Sequence, residues 1–195
     1  MAIDNGYATL AEYKLFADVD STDGDDDSAI ESIIEGVSRY IDLKTQRRFY
    51  AKSETRYYDR PSGRELELDD DLLTITTLSN GDGVEITSSD YNLIPRNDTP
   101  YRAIRLTETS TVAWTLDSDG NSEFVIDVAG TWGYMTTHTD DIREACLMIT
   151  QSFVKRRFGE NVSGIARVTA AGVVITPQDV PSAAADIINI YKKWT

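Results

Sequence analysis

Two stretches with helical periodicity enclose a long stretch with strand periodicity, and this order constrains the fold more than any single residue does. Apolar residues between Ile30 and Ile41 recur every three or four positions, as they do on one face of a helix. From Glu54 to Tyr134 the period changes to two and turn signals become frequent. Helical periodicity returns near Asp140. The pattern predicts an α+β fold in which an antiparallel β sandwich or barrel-like module is inserted into a helical bundle.

The same changes of period set the expected domain boundaries. We expect N-terminal helices of the bundle in residues 1–50, the inserted β module in residues 51–137, and C-terminal helices in residues 138–195. Within the last part, residues 160–178 carry few large apolar side chains compared with the helices around them. Such a segment forms little core by itself, so it is predicted to be either an extended arm or a hairpin.

Short local signals mark where the helices begin. Thr9 with Glu12, and Ser28 with Glu31, have the spacing of capping boxes, in which each side chain satisfies a backbone N–H group at a helix start. Pro181 is expected to open the last helix, because its missing N–H group has no partner at that position in any case.

The β module is expected to contain about six short strands with frequent turns. The last strand is predicted from Glu123 to Val128, with Phe124, Ile126 and Val128 on one face. Aromatic residues are frequent in the module. Aromatic residues favour strands and cores, but Tyr and Trp also anchor interfaces, and we expect a core role for most of them. They are Tyr57, Tyr58, Tyr91, Tyr101, Trp132 and Tyr134.

Composition excludes several classes of protein. The chain of 195 residues carries a net charge of −14, which argues against a surface that clamps nucleic acid but not against one past which DNA slides. The single cysteine, Cys146, cannot form an internal disulfide, and a reducing cytoplasm is the simpler expectation. No run of about 18 apolar residues is present and the first six residues do not resemble a signal peptide, so we expect a soluble protein.

No motif predicts an enzyme, a cofactor or a metal site. The six aspartates of residues 18–27 do not have calcium-loop spacing, because Gly24 is displaced and no glutamate closes the loop, so a solvated linker is expected. His138 has no second histidine as a co-ligand and is expected at the surface. Cys146 lies on the apolar stripe of a helix and is expected in the core.

Short segments within residues 7–158 are informative through their order and spacing. Together they resemble the head–tail connector (adaptor) proteins of tailed bacteriophages. The segments are Ser38-Arg39-Tyr40-Ile41, Thr45-Gln46-Arg47-Arg48-Phe49, Glu54-Thr55-Arg56-Tyr57-Tyr58-Asp59, Asp71-Leu72-Leu73-Thr74-Ile75, Asp90-Tyr91-Asn92-Leu93, Pro100-Tyr101-Arg102-Ala103-Ile104, Gly130-Thr131-Trp132-Gly133-Tyr134 and Asp141-Ile142-Arg143-Glu144-Ala145.

The resemblance implies a structural protein of the virion, located at the head–tail interface and assembled in the host cytoplasm. It implies a homo-oligomeric ring, commonly of twelve subunits, beneath the portal protein. A stopper, tail-completion or tail-terminator protein would bind the other face, and DNA would pass through the ring channel without sequence-specific binding. No membrane partner is implied.

The C-terminal part of the chain is where the resemblance implies a contact with the portal. The alternative is that the last helix packs on the chain's own bundle through Ile187, Ile188, Tyr191 and Trp194. A carbohydrate- or receptor-binding accessory module of the virion is the second functional hypothesis, and a hydrolase that uses the aspartate cluster is the third. The residues predicted to contact a partner are Arg156, Arg157, Ile165, Arg167, Val173, Ile175, Tyr191, Lys192, Lys193 and Trp194.

Overall fold

The structure is a computed structural model that describes residues 3–20, 24–158, 168–169, 172–173 and 180–193. Two compact units make up the chain. A helical unit combines residues 1–47 with residues 138–195, and a β unit comprises residues 48–137. The helical unit is therefore discontinuous in sequence. The described helices and the antiparallel sheet confirm the predicted α+β class.

The described part of the helical unit contains helices α1 (Leu10–Ala17), α2 (Asp27–Thr45), α3 (Asp140–Phe158) and α4 (Ser182–Ile190). The capping box at the start of α1 is confirmed, because Thr9 N donates to Glu12 Oε2 (2.7 Å) and Glu12 N donates to Thr9 Oγ1 (3.2 Å). The second predicted box is wrong. Asp26 takes the capping position of α2, so Ser28 lies inside the first turn and cannot cap the helix.

α2 and α3 form the centre of the helical unit, and α1 and α4 each pack against both of them. Ser38 of α2 and Cys146 of α3 meet at 3.7 Å between Oγ and Sγ. Burial raises the pKa of Cys146 to about 11, so this thiol behaves as a small core group. The fully buried side chains of the unit include Tyr7, Tyr13, Ile34, Ile41 and Ile142.

The β unit is one open antiparallel sheet of five strands, in the order β1-β5-β2-β4-β3. The long strand β2 organises it, because its first half pairs with β4 and its second half pairs with β5. Leu72, between the two halves, pairs with Tyr101 on one side and with Trp132 on the other. The strands are β1 (Lys52–Tyr58), β2 (Glu65–Ser79), β3 (Tyr91–Ile94), β4 (Tyr101–Leu106) and β5 (Ile126–Trp132).

One apolar cluster holds the sheet together. It takes Leu66, Leu72 and Leu78 from β2, Ile126 and Val128 from β5, and further residues from strands and loops. Burial of large apolar side chains such as these contributes roughly 1.5–3 kcal/mol each to folding. The remaining members of the cluster are Leu68, Ile86, Ile104, Leu106, Trp114 and Trp132.

The predicted start of the last strand is wrong. Strand β5 begins at Ile126, and Phe124 lies before it with φ of 54° and with 70% of its surface exposed. Its backbone N–H donates to Asp59 Oδ1 at 2.9 Å, which holds the chain in the left-handed region and interrupts the alternation. The run around Glu85 contributes only an isolated bridge to Ser79.

A small hairpin is described within residues 160–178. Strand β6 (Val168–Thr169) pairs antiparallel with strand β7 (Gly172–Val173), and β7 lies beside α2. Of the two predicted alternatives, this pairing favours a hairpin over an extended arm for these four residues.

Candidate partner-binding surfaces

The C-terminal end of α3 presents a basic tip. Lys155 and Arg157 are exposed there, Arg156 is half-buried, and Phe158 is 41% exposed. The guanidinium of Arg157 lies 5.2 Å from the centre of the Phe158 ring. Cations at this position stabilise the helix through its dipole, and their exposed charge is also available to an acidic partner.

Tyr191, a predicted contact residue, is held within the helical unit. Its hydroxyl donates to Asp141 Oδ2 at 2.6 Å, and its carbonyl oxygen accepts from Arg47 Nε at 2.7 Å. Burial favours the protonated form of Asp141, but hydrogen bonds from Thr139 and Tyr191 outweigh it and lower the pKa of that carboxyl. Tyr191 thus connects the end of α4 to the start of α3 and the end of α2.

The last described residues also contact the helical unit. Lys193 N donates to Thr45 O at 2.8 Å, while the side chain of Lys192 is exposed. On α4, Ala184 and Ile188 are buried, which is the arrangement that the alternative of packing on the chain's own bundle requires. The structure therefore gives Ile188 and Tyr191 an internal role and leaves Lys192 at the surface.

The other predicted contact residues cannot be placed. Ile165, Arg167, Ile175 and Trp194 lie outside the described residues. Val173 belongs to β7, of which only the backbone is described. A contact between these residues and a partner stays a prediction.

Sequence reasoning missed an apolar surface on α1. Leu15 is 85% exposed, and together with Leu10, Ala11 and Val19 it forms a patch that we call the α1 ridge. Lys14 lies beneath the ridge with its Nζ 2.6 Å from Asp27 Oδ1, so its charge is neutralised inside the unit. The sequence signal was present, because Leu15 falls off the face that Leu10, Tyr13 and Phe16 share.

A second surface was also missed, a groove between α2 and α4. Two exposed lysines, Lys44 and Lys192, stand at its edge. Lys44 Nζ lies 5.5 Å from the centre of the Tyr40 ring. We call this surface the α2–α4 groove. Its lining consists of Tyr40, Lys44, Val180, Ala185, Ile188, Asn189 and Lys192.

In the β unit, charged side chains pair with one another across the sheet. Arg48 Nη2 lies 3.1 Å from Glu54 Oε1 and 2.8 Å from Asp70 Oδ2, and Arg56 Nη2 lies 2.8 Å from each of the same two oxygens. Burial favours the protonated form of Glu54, but hydrogen bonds from Lys52, Arg56 and Arg48 outweigh it and lower the pKa of Glu54 to about 2.

This charge network lies on a core tryptophan. The Arg56 guanidinium carbon is 4.4 Å from the centre of the fully buried Trp132 ring, and Trp132 Nε1 donates to Glu54 O at 3.1 Å. Trp114 is buried as well, and Tyr58, Tyr91 and Tyr101 pack against the core. The described aromatic residues therefore serve mostly as core, as expected, although Tyr57 and Phe124 are exposed.

Among the described residues, the groups considered for metal binding do not form a cluster. In the described ranges, no group of three or more His, Cys, Asp or Glu side chains could hold a metal ion. His138 is half-buried and its ring lies 5.5 Å from the ring of Tyr7, so it is only partly exposed at the expected surface position. Burial lowers the pKa of His138, which favours the neutral ring. Over the described residues, no helix combines the length and the apolar character that crossing a membrane requires.

Comparison with solved structures identifies the fold. The neck of an empty gene transfer agent (GTA) particle, computed with C6 symmetry, contains a chain with a TM-score of 0.61 and 13% identity, and the match covers 100% of this chain and 94% of that one. A chain in the neck of the native GTA particle, computed with C12 symmetry, has a TM-score of 0.59 and 13% identity, and the match covers 100% of this chain and 93% of that one. A chain in the virion of the native GTA particle has a TM-score of 0.57 and 16% identity, and the match covers 100% of this chain and 94% of that one.

Comparison of sequences identifies the family. No match was found among curated protein sequences. Residues 7–194 match the family described as "HCP: Head completion protein", which is almost the whole chain. The resemblance to head–tail connector proteins of the virion is thereby confirmed. This chain belongs to the head completion protein family.

Proposed function

We propose that this protein is a non-enzymatic subunit of a ring that connects the head of a virion to its tail. The ring bridges the portal and a stopper or tail-completion protein, and DNA passes through its channel. The observation that carries the proposal is the family match over residues 7–194. The similarity of fold to chains in GTA necks, one of them computed with C12 symmetry, favours a ring of twelve copies.

The charge of the chain suits a conduit for DNA. A net charge of −14 repels the phosphate backbone at distances up to about a Debye length, roughly 8–10 Å in physiological salt. A channel wall with this excess of acidic groups lets DNA move without adhering. Sequence-specific readout would require basic side chains aimed at the base edges, which is not what this composition favours.

The basic tip of α3 is the part of the described C-terminal region best suited to the portal. Arg157 and Lys155 are exposed, and Phe158 adds apolar area beside them. A cationic tip of this kind binds an acidic surface, and its aromatic residue adds contact area. Tyr191 contributes indirectly, by holding α4 in place through Asp141 and Arg47.

The accessory-module hypothesis expects a platform of exposed aromatic residues. Trp114 and Trp132 are in the core of the β unit, and three tyrosines pack against that core. These observations favour the connector role over a carbohydrate-binding role.

Imaging tests the proposal. The purified chain is mixed with the portal protein of the same particle and examined by cryo-electron microscopy, with the portal alone as the control. We expect a closed ring of this chain on one face of the portal, and the same ring in the neck of intact particles. A particle in which the chain occurs as a single copy, or away from the neck, would contradict the proposal.

A further inference from the structure

The α1 ridge and the α2–α4 groove lie on opposite sides of α2. Ser38 and Asp42 face the N-terminal segment, because both bond to Tyr7, and Asp27 faces Lys14 of α1. Tyr40 and Lys44 line the groove on the side of α4. Positions two residues apart on a helix point about 200° from each other. One chain therefore cannot bring its own ridge into its own groove.

The two surfaces have opposite charge at their edges. The ridge is followed directly by Asp18 and Asp20, both exposed, at the end of α1. The groove is bordered by Lys44 and Lys192, both exposed. Lys14, which lines the same surface, pairs with Asp27. The ridge thus presents apolar area next to carboxylates, and the groove presents mixed polar and apolar area next to lysines.

Both surfaces also include apolar side chains. Leu15 projects from α1 with 85% of its surface exposed, which is unusual for a leucine in a helix that packs against two others. The groove has Ile188, Ala185 and Val180 among its lining residues, so a leucine that entered it would meet apolar atoms.

We propose that the α1 ridge of one copy of this chain docks into the α2–α4 groove of the next copy, with Asp18 and Asp20 facing Lys44 and Lys192. The contact joins two different surfaces, so it is head-to-tail, and repeated contacts of this type close into a ring or continue as a filament. The inference rests on the proposed function, because it names the surfaces that would join neighbouring subunits of the connector ring.

Disulfide trapping between two variants, each with one introduced cysteine, tests the contact directly. Full-length Leu15→Cys and Asn189→Cys are mixed under mild oxidation, and intermolecular dimers are counted on a non-reducing gel. Both positions are exposed, and the native Cys146 is buried, so it does not compete. The matched control is Leu15→Cys mixed with Val84→Cys, since Val84 is exposed and belongs to the β unit, whereas both proposed surfaces belong to the helical unit.

We expect dimers of Leu15→Cys with Asn189→Cys to form about tenfold faster than those of the control pair. Lys44→Glu combined with Lys192→Glu should remove most of that advantage, because complementary charge raises the rate of encounter. Adding Asp18→Lys and Asp20→Lys to the ridge variant should restore it. Such a rescue by reversed charges is not expected if the lysines only stabilise the fold.

Two results would overturn the inference. The first is a rate no higher than that of the control while both cysteines still react with a maleimide. The second is a preference of Leu15→Cys for itself, which indicates a symmetric contact. Failure of the proposed function is seen separately: a ring in the neck without cross-linking removes only the contact described here, whereas cross-linking without a ring in the neck removes only the connector role.

Discussion

The β unit and the helical unit use their charged side chains in different ways. In the β unit, Arg48 and Arg56 form ion pairs with Glu54 and Asp70. The guanidinium of Arg56 also lies over the ring of Trp132. In the helical unit, two groups of exposed charges lie apart and differ in sign, with aspartates after α1 and lysines beside the α2–α4 groove. Charges that pair within a unit stabilise that unit, while exposed charges of one sign at its surface can face a partner of the opposite sign. The comparison predicts stability effects in the first region and assembly effects in the second.

The largest effect is expected at the tryptophan beneath the network. Trp132→Ala removes a fully buried ring and the support of Arg56, and it should lower the free energy of unfolding of the β unit by about 3–5 kcal/mol. Urea unfolding followed by far-UV circular dichroism measures the change. Tyr57→Ala is the control, because Tyr57 is an exposed residue of the same sheet. An equal loss in both variants would contradict the role given to the network and its tryptophan.

A smaller effect is expected from Glu54→Gln, which keeps the shape and removes the charge. The loss should be about 1–3 kcal/mol at pH 7, because the side chain bonds to two arginines and a lysine. The pKa of Glu54 is about 2 in the folded protein, compared with 4.5 for a glutamate outside the folded surroundings. The extra stability is therefore complete above pH 4.5 and is lost as the pH falls towards 2.

The pH dependence separates this charge effect from a packing effect. Unfolding of the wild type and of Glu54→Gln is measured in urea between pH 7 and pH 2. The difference between the two proteins should shrink as the pH decreases through this range. A difference that stays constant with pH would show that charge is not the source of the stability.

Tyr191→Phe is expected to cost about 1–2 kcal/mol of the stability of the helical unit, because it removes the hydroxyl that donates to Asp141 and leaves the ring in place. Thermal unfolding compared with Tyr57→Phe, a change at an exposed tyrosine, isolates the hydrogen bond. If Tyr191 instead serves only a partner, the isolated chain should unfold at the wild-type temperature.

The smallest effect on stability is expected at the basic tip. Arg157→Glu should change the free energy of unfolding by no more than about 0.5 kcal/mol, as surface substitutions usually do. It should nevertheless weaken binding to the portal about tenfold if the tip meets an acidic surface. Co-sedimentation with portal measures binding, and Glu108→Lys, a charge reversal in the β unit, is the control. Unchanged binding would exclude the tip from the portal contact.

Features that depend on neighbours in sequence could be predicted. The box of Thr9 and Glu12 spans three residues, and the apolar stripe of α3 that contains Cys146 repeats within one helix. Both signals lie within a few residues of sequence and need no distant partner. A local signal can still fail, as the spacing of Ser28 and Glu31 did when Asp26 took the capping position of α2. The change from helical to strand periodicity, which is also read from neighbouring residues, indicated the inserted sheet.

Features that depend on distant partners could not be predicted. Phe124 leaves the strand because Asp59, 65 positions away, accepts its N–H group. Tyr191 turns inward because Asp141 lies 50 positions before it in sequence and beside it in space. The α2–α4 groove exists only once two separated helices pack together. The α1 ridge differs, because Leu15 lies off the apolar face of a short helix and periodicity alone marks it.

The way in which the β unit joins the chain has a consequence for how such proteins change. Tyr134 N donates to Arg48 O at 2.7 Å, and Lys52 pairs with Trp132, so the chain enters and leaves the sheet at neighbouring points. In the helical unit, Tyr191 links Arg47 with Asp141, so the flanking ends also approach each other. Segments with adjacent ends can be exchanged as cassettes, because a substitute needs only a similar separation of its ends. Evolution or an engineer could thus replace the sheet while keeping the helices that it interrupts.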